Sequence, residues 1–533
     1  MGLRRSTLVL FAGLISFILL SQAAFAIPAF SRQYGTSCST CHLDFPKLND
    51  FGKAFKDAGF KFPKDDESFL KIPPVMLGAP AQKDLWPHAI WPGTIPGIPP
   101  IGLRMNNFFQ LTSRNRNNFN SLLPPGTPGP FTPRTDFQTG LFSIFTAGNF
   151  GSDIAFWVDD DFSIGGDNAN GGLGDGYLKF VDIGRLVHLP KYALSLRAGQ
   201  FELDLPFTQA RSINLSGYDI YDEANIGAMN SAFPQQNVSN AFAFSSAAQG
   251  VELSGGRLYR GYHYSFAVVN QNTSGTTNSP ANIAPVNGVA FQSDANFKDM
   301  YGRFSYRFNL EKDPASRNEV QAAGATGPRD HTYINLGSFY FYGRSVQRFS
   351  GLLANLSPTV QTAREPFYRA GGDFSFNYRT FNVYGLFMYG HDHNLLPMLF
   401  TPTGATTPFV LGFNRAQAAT FSGGFVQADY LVLPWMMLIM RYDAVNSTAD
   451  RINGLLLGTS GPSTPFLAPF SNTRNRYTPG VQFLIHANIK ASFEYQIRPE
   501  QTVTVVTSPV SGLPTAANPF RTNTAVVGLE FVY

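Results

Sequence analysis

Between residues 101 and 533, polar and apolar positions alternate in segments of roughly ten residues, the pattern of β-strands with one apolar and one polar face. Sixteen such segments are predicted, at 102–112, 137–147, 152–162, 173–182, 191–201, 247–255, 258–270, 297–309, 331–342, 368–377, 380–390, 419–430, 435–446, 476–486, 489–498 and 523–533. Short connections fall at Gly148–Gly151, Gly256–Arg257, Tyr378–Arg379, Leu431–Pro434 and Ala487–Asn488. Long polar stretches rich in Pro and Gly fall at 113–136, 202–246, 271–296, 343–367, 391–418, 447–475 and 499–522. Counted from the first strand, these turns follow even strands and these loops follow odd ones; residues 310–330 break the rule. A soluble sandwich has no reason to sort loop length by parity, whereas a barrel with one turn face and one loop face does.

The last segment supports the same reading. Ala525, Val527, Leu529, Phe531 and Tyr533 make one apolar face, with Gly528 and Glu530 on the other, suited to a polar lumen. The chain's ending on an aromatic residue resembles the C-terminal insertion signal of bacterial outer-membrane proteins. No stretch after the N-terminus approaches the 18 or so uninterrupted apolar residues of a spanning helix. In lipid every backbone polar group must be paired internally, and without helices only a closed sheet achieves that.

Composition agrees: 50 Phe, 22 Tyr and 50 Gly accompany only 14% charged residues. The first 26 residues read as a secretory signal, with Arg4 and Arg5 before the apolar run Leu8–Leu20 and Ala24-Phe25-Ala26 as the cleavage site. Its removal leaves a nearly neutral chain, with no basic field that would argue for nucleic acid. The expected organisation is a signal peptide (1–26), a small N-terminal helical segment (27–100) and an all-β antiparallel transmembrane barrel of sixteen strands (101–533).

The chain has two cysteines, both in Cys38-Ser-Thr-Cys41-His42. Two thiols at this spacing followed by an imidazole form the attachment motif of a c-type haem: the thiols add to the porphyrin vinyl groups and the histidine lies beneath the iron. A local disulfide is the alternative. A structural zinc site would need further Cys or His ligands nearby. Beyond the motif, Phe45, Leu48, Phe51, Phe55 and Ala58 recur at helical spacing, with Pro46 suited to the first turn and Gly59 to the stop. Met76 is the favoured sixth ligand, His88 the alternative and Met105 an outsider; methionine would raise the reduction potential relative to a second histidine. Arg32 is placed to pair a haem propionate. Asp159-Asp160-Asp161 and the pair His391 and His393 are weaker metal contacts, read first as a solvated acidic run and an exposed loop.

The motif sits in a longer pattern: Pro28-x-Phe30-x-Arg32-Gln33 before it, and Pro46-x-Leu48-x-x-Phe51-Gly52-x-x-Phe55-Lys56 after it. This stretch, residues 27–60, resembles the fused monohaem cytochrome–porin family of the outer membrane, whose best-known members are iron oxidases of iron-oxidising bacteria. The resemblance implies Cys38 and Cys41 as attachment points of one covalently bound haem c, His42 as axial ligand, and a compact cytochrome segment plugging or capping the barrel. The Pro-rich stretch Leu85–Pro100 looks like an insertion before the first strand.

A hydrocarbon layer about 25–30 Å thick separates the two sides of such a membrane, so one haem serving both must sit in the lumen. The expected partners are outer-membrane lipid, an extracellular reductant such as Fe(II), and a periplasmic cytochrome or copper protein. A solute-diffusion porin with a haem-bearing plug or redox gate is the rival reading. A haem enzyme acting on a small oxidant is a third, for which no acid–base arrangement is recognisable.

Overall fold

The computed structural model describes residues 29–112 (except 45, 64–65, 67–68, 79–83, 86–93 and 98–99), 135–162 (except 152), 172–223 (except 209–211) and 247–270 (except 257 and 259). It also describes 297–310, 332–349, 361–392, 398–400, 409–411, 419–447, 473–499 (except 487), 505–507, 514–516 and 523–532. The signal-peptide reading, His88 and His393 lie outside these residues.

Sixteen antiparallel strands close into one barrel. They are β1 Ile101–Thr112, β2 Thr135–Phe150, β3 Ile154–Phe162, β4 Gly172–Phe180, β5 Ser195–Phe201, β6 Ala248–Gly256, β7 Gly261–Val269 and β8 Asp299–Asn309. Then come β9 Tyr333–Phe349, β10 Gln361–Tyr378, β11 Phe381–Asp392, β12 Ala419–Leu433, β13 Met436–Ser447, β14 Thr473–His486, β15 Ile489–Gln496 and β16 Thr524–Val532. Each pairs with the next, and β16 returns to β1 with Val532 opposite Arg104. Every predicted segment is a strand, and the parity of loop lengths holds except after β4 and β8, whose connections are long where short turns are due. The connection between β4 and β5 carries a 3-10 turn at Ile183–Val187.

The wall is apolar outside and polar inside. On β16 Val527 and Leu529 are 44% and 46% exposed, while Gly528 and Glu530 face inward. On β13 Leu438, Met440 and Tyr442 face out, while Arg441 and Asp443 are 1% and 0% exposed. Outward aromatic rings gather toward both ends: Tyr378, Phe381, Tyr430 and Trp435 near the short turns, Tyr340, Tyr368 and Tyr389 toward the long loops. Tyr368 and Tyr378 lie ten residues apart on β10. At ~3.3 Å per residue and a tilt of roughly 40°, that spans about 25 Å, the height of an apolar band between aromatic girdles.

Among the described residues, two parts of the chain fill the lumen. One is the N-terminal segment, with helix α1 Ala29–Tyr34, a 3-10 turn Cys38–Thr40, a small hairpin (His42–Asp44 with Lys47–Leu48) and helix α2 Asp50–Asp57. It reaches wall residues at the short-turn ends of strands, such as Asn149 and Asn382. The other is the connection after β5, whose residues 202–208 and 212–223, including the short helix α3 Asp219–Glu223, fold inward toward the long-loop side.

Candidate functional site

The Cys38–His42 motif forms a compact turn. Thr40 and Cys41 donate their backbone N–H groups to Ser37 and Cys38 carbonyls, and His42 begins the small hairpin. Asn49 then ties the turn to α2. Its side-chain oxygen caps the helix by accepting from the Gly52 N–H (2.8 Å), its amide donates to the Thr40 carbonyl (3.0 Å), and its backbone N–H donates to the Cys41 carbonyl (2.9 Å). Gly52 is required here, because a Cβ would overlap the Cys41 carbonyl oxygen. The predicted helix is therefore shorter than its apolar periodicity. Asn49 starts it, so Pro46 stands in the hairpin turn rather than the first helical turn, and Leu48 lies on the hairpin. Gly59 does end it, at a φ of +78°.

Aromatic packing holds this segment together. Tyr34 stacks on Phe62 with ring centroids 4.5 Å apart, and Phe55 meets Phe30 edge-on at 5.1 Å. Phe60 continues the cluster to Trp157 on the wall at 5.8 Å. Charged anchors fix it to the barrel. Asp50 receives a two-pronged bond from Arg307 (2.6 Å to each oxygen), and Lys47 reaches Asp429 (2.7 Å) and Asn382 (2.9 Å) across the lumen.

Between this segment and the inward loop lies a cavity of about 900 Å³, within the range of roughly 300–1,000 Å³ usual for small-molecule and cofactor sites. Cys38, Cys41 and His42 all line it, as do the rings of Phe30, Tyr34, Phe55, Phe60, Phe145 and Trp157. Residues Glu202–Thr208 of the inward loop contribute to its lining. Cys38 and Cys41 are free thiols rather than a disulfide. Burial pushes both thiols up, Cys41 to about 12, with Cys38 adding to the shift at Cys41. Burial pulls His42 down to about 4, against opposing hydrogen bonds to the Pro46 and Lys47 backbone. The imidazole is thus neutral at neutral pH, the form in which histidine binds a metal. Two free thiols and a neutral imidazole facing one aromatic-walled space fit a covalently attached haem.

The other predicted ligands do not converge on this space. Met76 is 45% exposed on a two-residue strand paired with Thr94–Ile95, and it does not line the cavity. Met105 lies opposite the outward-facing Phe531, which puts it on the lipid side. Arg32 donates to the Ile101 carbonyl (3.1 Å) and is also absent from the lining. The second imidazole on the lining is His263, whose Nε2 lies 3.2 Å from Asp204. Asp159 and Asp161 do face the cavity, with Asp161 accepting from Ser143 (2.5 Å). His391 stacks on Tyr368 at 5.1 Å. Among the described residues no group of His, Cys, Asp and Glu could hold a metal ion.

Sequence reasoning missed the inward loop and the cations of the cavity. One signal was available: Phe201–Phe207 and Ile213–Tyr221 are too rich in apolar and aromatic residues for a solvated loop.

No family model matches the chain, and no curated protein does. Among solved structures, the outer membrane channel DcaP of Acinetobacter baumannii is similar over 81% of this chain and 96% of its own, at 9% identity and a TM-score of 0.42. The anion-selective porin from Comamonas acidovorans is similar over 81% and 98%, at 10% identity and a TM-score of 0.44. OprB of Pseudomonas putida is similar over 81% and 94%, at 10% identity and a TM-score of 0.41. Likeness at this level carries no argument about function, and the barrel rests on the chain's own strand pairing.

Proposed function

We propose that this chain is an outer-membrane barrel whose lumen segment carries one covalently bound haem c, and that it moves electrons across the membrane. Electrons would pass from an extracellular reductant such as Fe(II) to a periplasmic cytochrome or copper protein. The observation that carries this reading is the convergence of Cys38, Cys41 and His42 on one cavity inside the wall. Bound there, haem would supply one-electron exchange.

The chain's own residues supply the rest. Cys38 and Cys41 would attach the group and His42 would bind its iron, with its ring oriented by the Pro46 and Lys47 backbone. The Phe30, Tyr34, Phe55 and Phe60 rings make a dry wall against one side of the space. Barrels of this class place short turns in the periplasm and long loops outside. That orientation puts the N-terminal segment toward a periplasmic acceptor and the inward loop between the cavity and the exterior.

The second reading is a solute-diffusion porin with a haem-bearing plug or redox gate, and porin-like architecture taken alone favours it. Against an open pore stands the burial of lumen side chains such as Arg441, Asp443, Gln427 and Glu494 beneath the inward loop.

Purified protein in liposomes separates the two. Ferrous iron added outside is expected to reduce the haem and then an enclosed acceptor, with little ionic current. A haem that stays oxidised under excess ferrous iron would remove the iron reading. Large open conductance steps would favour the porin.

A further inference from the structure

The cations of the cavity are not neutralised alike. Lys47 is matched by Asp429, while Asp50 takes Arg307 at 2.6 Å with the half-exposed Lys53 more distant at 3.9 Å. Arg303 lies between two carboxylates, Asp373 at 2.9 Å and Asp204 at 3.5 Å. Glu530 is shared by two close cations with little exposure: Arg104 Nε at 2.6 Å and Lys490 Nζ at 2.9 Å. This last cluster bridges the seam where β16 meets β15 and β1, since Lys490 pairs directly with Glu530 in the β15–β16 register. All three side chains line the cavity together with His42, and those of Lys490 and Glu530 are 5% and 11% exposed. Lys490 is also the wall charge that acts on His42, its positive field opposing a second positive charge there. The cavity therefore carries a net positive cluster at the barrel seam, whereas around Arg303 two carboxylates face one guanidinium and the His263 ring.

We infer that the Arg104–Glu530–Lys490 cluster, rather than Arg32, sets the electrostatic affinity of the His42 site for an electron. The inference rests on the haem reading above. Taking up one electron removes one positive charge from an iron centre. A net positive cluster screened little by water favours that reduced form. Lys490 acts through the field and contacts no reacting atom, so it is a positioning residue.

The test is a redox titration of the full-length holoprotein, followed by visible spectroscopy. Lys490→Met is expected to lower the midpoint potential, Lys490→Arg to leave it in place, and Glu530→Gln to raise it. Arg32→Ala is expected to leave it unmoved. A merely structural cluster would not shift the potential in opposite directions for opposite charges. The inference is overturned if Lys490→Met and Glu530→Gln both leave the potential unchanged or move it the same way. If Lys490→Met does not assemble, Glu530→Gln measured against wild type decides alone, and an unmoved or lowered potential overturns the inference. A wild-type chain without haem fails the underlying reading instead, before any variant is compared.

Discussion

The lumen holds two fillings built on different principles. In the N-terminal segment the rings pack largely against one another: Phe30, Tyr34, Phe51, Phe55, Phe60 and Phe62 form a continuous cluster, with Lys47, Asp50 and the Gly59 carbonyl tying its edges to the wall. The inward loop packs Leu203, Leu205, Tyr218 and Ile220 against wall side chains and is also laced to the wall by an extended polar network. Asn214 exchanges bonds with Gln427, Glu494 accepts from the Leu215 and Ser216 backbone and the Ser216 hydroxyl, and Asp219 meets Arg476 and Arg498. Apolar packing is non-directional and tolerates a large flat ligand at its edge, whereas a hydrogen-bond network fixes one geometry. The difference suits the first region to holding a cofactor and the second to covering it.

Removing a ring from the first region should do most damage. Phe55→Ala leaves a hole at the centre of the cluster and is expected to cost roughly 3–5 kcal/mol. Limited proteolysis should then release the N-terminal segment while the barrel stays intact. Asp50→Ala strands the Arg307 guanidinium on the wall, and losing one partner of a buried pair costs ~3 kcal/mol or somewhat more. Because Arg307 keeps Asn309 and the Tyr333 ring, the lower figure is expected. Rising ionic conductance would report the loosened segment. In the second region Glu494→Gln keeps the shape but weakens charge-assisted bonds to residues 215 and 216, for roughly 1–3 kcal/mol. Hydrogen exchange at residues 212–218 should quicken while the N-terminal segment is unaffected.

Much of the wall was legible because alternation has only one stable solution in lipid, and β1 and β16 lie within a residue or two of their predicted bounds. The β9–β10 hairpin runs past its predicted ends, to Phe349 and from Gln361, because its upper part lacks the alternation that marks the lipid band. The motif triad was legible from spacing alone. Its surroundings were not, since the wall charges come from β1, β8, β12, β15 and β16, far away in sequence. Arg32 illustrates the limit: nearness to Cys38 says nothing of direction, and its guanidinium turns to the β1 backbone. The inward loop was hidden for a similar reason, its partners Gln427, Arg441 and Glu494 lying more than two hundred residues downstream.

The smallest effect expected is with pH. Burial would push Asp204 up, but the Arg303 guanidinium, His263 and the Ser265 hydroxyl outweigh it and hold the carboxyl well below the usual carboxylate range. A group whose folded pKa is depressed stabilises above its unfolded value, about 3.9, and loses that contribution only as pH falls toward the folded value. Protection of residues 202–208 against hydrogen exchange, corrected for intrinsic rates, should therefore not fall between neutral pH and about 4.5, above that unfolded value. The His263–Asp204 pairing, strengthened as the imidazole takes a proton, acts in the same direction. Loss of protection between pH 6 and 5 would mean that the Arg303 pairing does not hold the loop.

The central claim is that the lumen segment carries a covalent porphyrin, and the most direct measurement is the intact mass of the mature protein from a host able to mature c-type cytochromes. One added haem, absent when both Cys38 and Cys41 are changed to serine, is the predicted result. A mature chain at the mass of its bare polypeptide would contradict the account and leave a plugged barrel without a redox centre.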